Sequence, residues 1–163
     1  MYETNILQIL PKKIFDKNSK TSKETKILFN ERYIGLLFTA SWCKFCEKYT
    51  PTLIEFYELF NKKVYSFEII NICLDNNEEY EKKVPWLIFD NDKYTELLSK
   101  TYRINELPSL LIFDSNGNLV DRQGVSTILK KGELSILQWE ENSTNKLCDN
   151  EKCTCILGNN LKK

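Results

Sequence analysis

The sequence predicts an α/β domain in which strands and helices alternate before an antiparallel hairpin closes the sheet. Three observations predict it. The run Ile34 to Ala40 is nearly all apolar and of strand length, as in a central strand covered on both faces. It leads through Ser41-Trp42 into Cys43-Lys44-Phe45-Cys46, which opens a segment of helical periodicity. Asn116-Gly117 stands between the apolar runs Leu110 to Phe113 and Leu119 to Asp121, a strong signal for a tight hairpin turn.

The elements follow in order. Between Pro11 and Asn30 the chain is polar and lysine-rich around Ile14-Phe15 and Ile27-Leu28-Phe29, which suits two short edge strands joined by an exposed turn. After the central strand, Lys44 to Asn61 places Leu53, Phe56, Tyr57 and Phe60 on one helical stripe, with Pro51 removing a donor and kinking the helix. Tyr65 to Leu74 reads as a second buried strand. Asp75-Asn76-Asn77 begins a short acidic helix to Lys83, and Val84-Pro85-Trp86 follows. Tyr94 to Tyr102 is a third helix, which ends before Leu107-Pro108-Ser109 and the hairpin. Val125 to Trp139 is the last helix, weakened by Gly132. Residues 1–140 thus form one domain. Residues 141–163 are a polar, flexible tail that carries Cys148, Cys153 and Cys155, for which an unstructured segment is favoured over a second redox pair or a metal-sensitive tag.

Composition narrows the function. At 163 residues and 42% hydrophobic, one domain can bury a core without disulfide or metal staples. Lys+Arg and Asp+Glu balance at 23 each, so no global charge argues for nucleic acid or an anionic membrane. No stretch approaches a membrane span, and the amino end does not read as an export signal, so a cytoplasmic protein with reduced or cycling thiols is expected. Histidine is absent, which removes Cys-His and Ser-His nucleophile pairs and every His-containing zinc site.

What is left is the dithiol. Cys43 at a helix start meets unpaired backbone N–H groups and the positive end of the helix dipole, which favour a thiolate. Cys46, one turn on, is placed to resolve a mixed disulfide made by Cys43. Lys44 and Lys48 add positive charge and Glu47 opposes them, while Trp42 offers a flat apolar contact. The competing reading is half of a zinc site. Zinc needs four ligands, and neither Cys73, set in a strand, nor the tail cysteines supply a familiar spacing. Cys73 is most simply a small buried hydrophobe, Trp86 is core, and Arg103 and Arg122 are solvated.

These residues resemble the thioredoxin superfamily, and within it the tryparedoxin and nucleoredoxin branch, from about Ile9 to Leu137. The resemblance rests on Ser41-Trp42-Cys43-x-x-Cys46, Tyr49-Thr50-Pro51-x-Leu53-x-x-Phe56-Tyr57, Asp75, Val84-Pro85-Trp86-Leu87 and Leu107-Pro108-Ser109-Leu110. Lys44-Phe45 departs from the Pro-Pro of that branch and is similar to the plasmoredoxins of malaria parasites, with Lys and an aromatic residue there.

The resemblance implies a thioredoxin-like fold, with a mixed central β-sheet flanked by helices. It implies a monomeric protein-disulfide reductase with no cofactor beyond the redox-active Cys43-Cys46 disulfide. It also implies a cis bond before Pro108 and a substrate-contacting surface from Trp42, Lys44, Phe45, Leu107 and Pro108. Partners by the same analogy are protein disulfides such as those of peroxiredoxin or ribonucleotide reductase, with glutathione or a thioredoxin-type system restoring the enzyme. Two departures matter. Leu37 stands where thioredoxins carry a buried Asp, so the Cys46 proton must leave through water or another group. The lack of Pro between the cysteines resembles members that hold an iron-sulfur cluster across two subunits, so a cluster-binding or redox-controlled binding protein without turnover is the alternative.

Overall fold

The apolar run from Tyr33 becomes the middle strand of a five-stranded sheet, because side chains on both of its faces find cover. The structure, a computed structural model, describes residues 4–62 and 66–150, the last six for their backbone alone. Along it run β1 (Lys13–Asp16), β2 (Thr21–Glu24), α1 (Thr25–Phe29), β3 (Tyr33–Thr39), α2 (Lys44–Asn61), β4 (Phe67–Cys73) and α3 (Glu78–Lys83). Then come β5 (Leu87–Ile88), α4 (Asp92–Thr101), β6 (Ser109–Phe113), β7 (Leu119–Asp121), α5 (Gly124–Lys131) and α6 (Ser135–Asn150). The strand order is β5-β4-β3-β6-β7. β5, β4 and β3 are parallel, while β6 and β7 are antiparallel to their neighbours. This is the mixed sheet flanked by helices that the sequence resemblance implies.

Two apolar layers hold the helices to it. On one face Leu37, Phe67, Ile69, Leu110 and Ile112 pack against Tyr49, Leu53 and Phe56 of α2, Ile128 of α5 and Trp139 of α6. On the other, Ile34, Leu36, Phe38, Ile70 and Phe113 pack against Leu28 and Phe29 of α1 and against Leu98 and Tyr102 at α4. Each full burial of such a side chain contributes roughly 1.5–3 kcal/mol, so β3, fully covered, is the most strongly determined element.

Several elements differ from the sequence reading, each for a local reason. Ile27-Leu28-Phe29 is helical, not a strand: Leu28 and Phe29 are buried and Ile27 is exposed. The strand paired with β1 is the wholly exposed Thr21–Glu24, found by hairpin pairing rather than by apolar content. α3 starts at Glu78 because Asp75 is engaged elsewhere and Asn77 caps the helix, its side chain accepting from Tyr80 N at 3.2 Å. α2 continues through Pro51 without interruption.

The last predicted helix is two. Gly132, at φ +53°, ends α5, and a short 3₁₀ turn leads into α6. α6 crosses the expected boundary at 140 and runs to Asn150, because it docks on β7. There fully buried Trp139 donates through Nε1 to Asp121 Oδ2 at 2.9 Å, and Asn142 Nδ2 donates to Val120 O at 2.8 Å. Of the tail expected over 141–163, the part from 151, with Cys153 and Cys155, lies outside the described residues, as does the Cys148 side chain.

Glu68 is buried in β4, where its Oε1 accepts from Tyr57 Oη at 3.0 Å and from Ile69 N at 2.8 Å. Burial pushes its carboxyl up from 4.5 to about 7, against those hydrogen bonds. The folded chain therefore holds this proton more tightly than the unfolded chain, and stability should fall as pH rises from about 4.5 to about 7. The expected loss is roughly 2–3 kcal/mol across that window, and Glu68→Gln should abolish it. Urea unfolding at pH 5 and pH 7 checks this: equal pH slopes for the two proteins would show that Glu68 is not the titrating group.

Candidate active site

The dithiol sits where β3 ends, and the ends of two neighbouring strands are tied there. Asp75, two residues beyond β4, accepts from Ser41 N through Oδ1 at 2.9 Å and from the Ser41 hydroxyl through Oδ2. Cys43 is the N-cap of the eighteen-residue helix α2, and its sulfur accepts from Cys46 N at 3.1 Å. A sulfur in that position meets one of the backbone donors that a helix start leaves free. Both cysteines are free thiols, 8% and 4% exposed, in a small apolar cluster with Ala40 and the partly buried Leu107.

Burial pushes the Cys46 thiol up to about 12, with its hydrogen bond to Cys43 as the second cause. A Cys46 thiol held protonated behind a capping Cys43 sulfur suits a pair in which Cys46 is the inner partner.

The other expected site residues surround this pair. Trp42 is 69% exposed and Phe45 72% exposed, so two large apolar surfaces flank the dithiol from outside, with exposed Lys44 between them. The Leu107-Pro108 peptide bond is cis, as the resemblance implies, and Pro108 is half-buried at the start of β6. Leu37 is fully buried in the core beneath α2.

A cavity of about 390 Å³ opens on the opposite side of the dithiol, towards β4 and α3. Cys43, Cys46, Thr39, Thr50, Cys73 and Tyr80 are among its lining residues, whereas Trp42, Phe45, Leu107 and Pro108 are not. Cys73 is therefore not a wholly buried filler: it is half-buried at the last position of β4, where Thr39 Oγ1 donates to its sulfur at 3.6 Å. Burial pushes the Cys73 thiol up to about 12. Thr50 Oγ1 donates to Cys46 O at 2.6 Å. Exposed Arg122 is held by its own contact, donating to Tyr102 O at 2.5 Å, whereas Arg103 is exposed. Sequence reasoning missed the contribution of Asn71, Thr50 and Tyr80. The one available signal was an Asn in the otherwise apolar run Ile69-Ile70-Asn71-Ile72. Among the described residues, no three Cys, Asp or Glu side chains converge into a metal-holding cluster.

A family model described as thioredoxin-like matches residues 30–119, which include β3, the dithiol and the cis-Pro segment. The chain belongs to the thioredoxin-like family. Among thioredoxin-like relatives, the tryparedoxin of Trypanosoma brucei brucei is 32% identical over 113 residues, 65% of this chain and 78% of that protein. A probable nucleoredoxin 1 of Arabidopsis thaliana is 36% identical over 105 residues, 61% of this chain and 18% of the nucleoredoxin. The chain spans under a third of the length of that protein and of the Xenopus laevis nucleoredoxin, of which it covers 31%. The crystal structure of native tryparedoxin I from Crithidia fasciculata superposes with a TM-score of 0.68 at 29% identity, covering 80% of this chain and 94% of that one. The thioredoxin-like fold is thus shared over most of the chain.

The inequality of the thiols has a direct readout. In the reduced protein at pH 7, iodoacetamide should label Cys43 well before Cys46 or Cys73. Labelling of the latter two should rise about tenfold per pH unit through pH 8–10, since only the thiolate reacts. Peptide mass spectrometry at graded pH measures this, and a Cys46 rate that levels off below pH 9 would contradict its burial-raised state.

Proposed function

We propose that the chain is a thiol-disulfide oxidoreductase that reduces protein disulfides through Cys43 and Cys46, a plasmoredoxin-like member of the family acting as a cytoplasmic monomer. The observation that carries this reading is the Cys43 sulfur at the N-cap of α2, with the Cys46 N–H directed at it and the Cys46 thiol buried behind it. A nucleophile with a backbone donor on its sulfur, backed by a second thiol one turn along the helix, is the arrangement that two-step disulfide exchange needs.

The steps follow from the placement. The Cys43 thiolate attacks a substrate disulfide, one substrate sulfur leaves, and a mixed disulfide forms. The Cys46 sulfur then attacks Cys43, the substrate leaves as its second thiol, and the Cys43-Cys46 disulfide is left. Trp42, Phe45, Leu107 and Pro108 supply the outer docking surface, and Lys44 its charge. Client disulfides by family analogy are those of peroxiredoxin or ribonucleotide reductase. Glutathione or a thioredoxin-type system returns the pair to dithiol; support for a small-thiol partner comes from a tryparedoxin II of the same fold, complexed with glutathionylspermidine. The redox-active pair itself is the only group this chemistry requires. No helix among the described residues is long and apolar enough to cross a membrane.

Cys43→Ser should abolish reduction of insulin disulfides in the presence of dithiothreitol or glutathione, and Cys46→Ser should accumulate clients as mixed disulfides. Retained turnover in Cys43→Ser would remove the reading, and trapping without turnover in the unmodified chain would favour a binding protein. Replacing Lys44 and Phe45 with Pro should stiffen the loop, slow exchange with glutathione and shift the reduction potential. Identical potentials and glutathione rates in the two proteins would show that these residues do not set the specificity.

A further inference from the structure

One wall of the cavity beside the dithiol is α3, which lines it through Glu79, Tyr80 and Lys83. The only buried side chain in this helix is a carboxylate, that of Glu81, which is 3% exposed. Tyr80 is partly buried at the edge of the core, and its hydroxyl donates to Asn71 Oδ1 at 2.8 Å. Glu78, Glu79, Lys82 and Lys83 are exposed. A helix that buries no aliphatic side chain has little hydrophobic free energy holding it to the sheet.

The chain on either side of α3 is fixed. Before it, Asp75 accepts from Ser41 N at 2.9 Å. After it, Val84 and Trp86 are buried, and Trp86 Nε1 donates to Asn71 Oδ1 at 3.0 Å. The helix is thus a short span between two anchors.

What holds Glu81 comes from the β1–β2 turn. Lys17 Nζ lies 2.9 Å from Glu81 Oε1, and Asn18 Nδ2 donates to Glu81 O. The turn is itself firmly set on the sheet. Buried Asp16 accepts from Asn18 N at 3.1 Å, from Ser19 N at 3.3 Å and from Ile88 N of β5 at 3.1 Å. Lys17 N donates to Ile88 O at 2.9 Å, and its ammonium makes a looser contact with exposed Asp90 at 3.6 Å. A brace anchored on β5 therefore reaches across to the buried carboxylate of α3.

We infer that α3 is a lid on the cavity and that the β1–β2 turn, through Lys17 and Asn18, is the clasp that keeps it shut. The inference stands on these contacts and not on the exchange chemistry proposed above. With Lys17 in place, the buried Glu81 carboxylate has its counter-charge. Without it the charge is buried unpaired, and carrying it out to water relieves that cost. The sheet stays intact, because α3 takes no aliphatic core residue with it. Opening uncovers Cys73, at the last position of β4, and the cavity side of Cys46, which both line the cavity with α3. Access to the inner side of the dithiol is thereby set by two residues, Lys17 and Asn18, that are not among those lining the cavity.

Hydrogen exchange and thiol labelling of the full chain test this. In the unsubstituted protein, α3 amides should exchange faster than β3 amides and almost independently of dilute urea, as local opening requires. If α3 amides follow the urea dependence of β3, there is no lid and the inference is overturned. Lys17→Met should speed both α3 exchange and labelling of Cys73 by iodoacetamide about tenfold, with β3 exchange unchanged. A bulky maleimide should gain more than iodoacetamide at Cys73, because a closed wall obstructs a large reagent more than a small one. Lys17→Arg, which keeps the charge, should restore the slow rates.

Unchanged α3 exchange and Cys73 labelling in Lys17→Met overturn the clasp. So does equal acceleration of β3, which would make Lys17 a general stabiliser, or a Lys17→Arg protein that behaves like Lys17→Met. Should Lys17→Met lose its near-ultraviolet dichroism, Asn18→Ala decides: α3 exchange about threefold faster with β3 unchanged is expected from losing one hydrogen bond. No change in that variant overturns the clasp.

Discussion

Parallel pairing of β3 with β4 is the constraint on which the site depends. Seven consecutive registered pairs, from Tyr33 with Phe67 to Thr39 with Cys73, bring both strands to their carboxyl ends at the same level. The loop after β3 and the loop after β4 therefore emerge side by side. Asp75 in one can then hold Ser41 in the other, and the chain turns into α2 with Cys43 at its cap. A slip of β4 by one residue would turn Asn71 and Cys73 to the opposite face. The buried side chains on both faces of β3 make such a slip costly.

The dithiol consequently has two unlike sides. One is apolar and outward, with Trp42 and Phe45 exposed and Leu107 packed against the two sulfurs. The other is a cavity lined by Thr39, Thr50, Cys73 and Tyr80 among others, with buried Asn71 hydrogen-bonded to Thr39 and Tyr80 behind it. The proposed protein clients suit the first side, where a flat surface can meet an extended segment.

The fold was legible where one physical signal dominated. β3, α2 and the β6–β7 hairpin were readable because an unbroken apolar run, a helical stripe and an Asn-Gly turn each act within a few residues; Gly117, at φ +86°, is the turn residue that Asn-Gly announces. β2 was not, since Thr21–Glu24 is exposed on every residue and exists only through its partner β1. The length of α6 was not either: a polar segment stays helical because Trp139 and Asn142 anchor it to β7. Cys73 was misjudged because strand periodicity indicates which face a side chain takes, and leaves open whether that face is filled by a helix or left as a cavity.

The sequence by itself determined the dithiol and its place in the chain: two cysteines one helical turn apart, directly after a buried strand, are a local pattern with a local cause. The tertiary structure alone decided what surrounds them. Thr39, Asn71, Cys73 and Tyr80 come from three separate elements, and no spacing in the sequence relates them. They meet because β3 and β4 pair in parallel and α3 folds back over their ends, so the polar surroundings of the cavity are a property of packing.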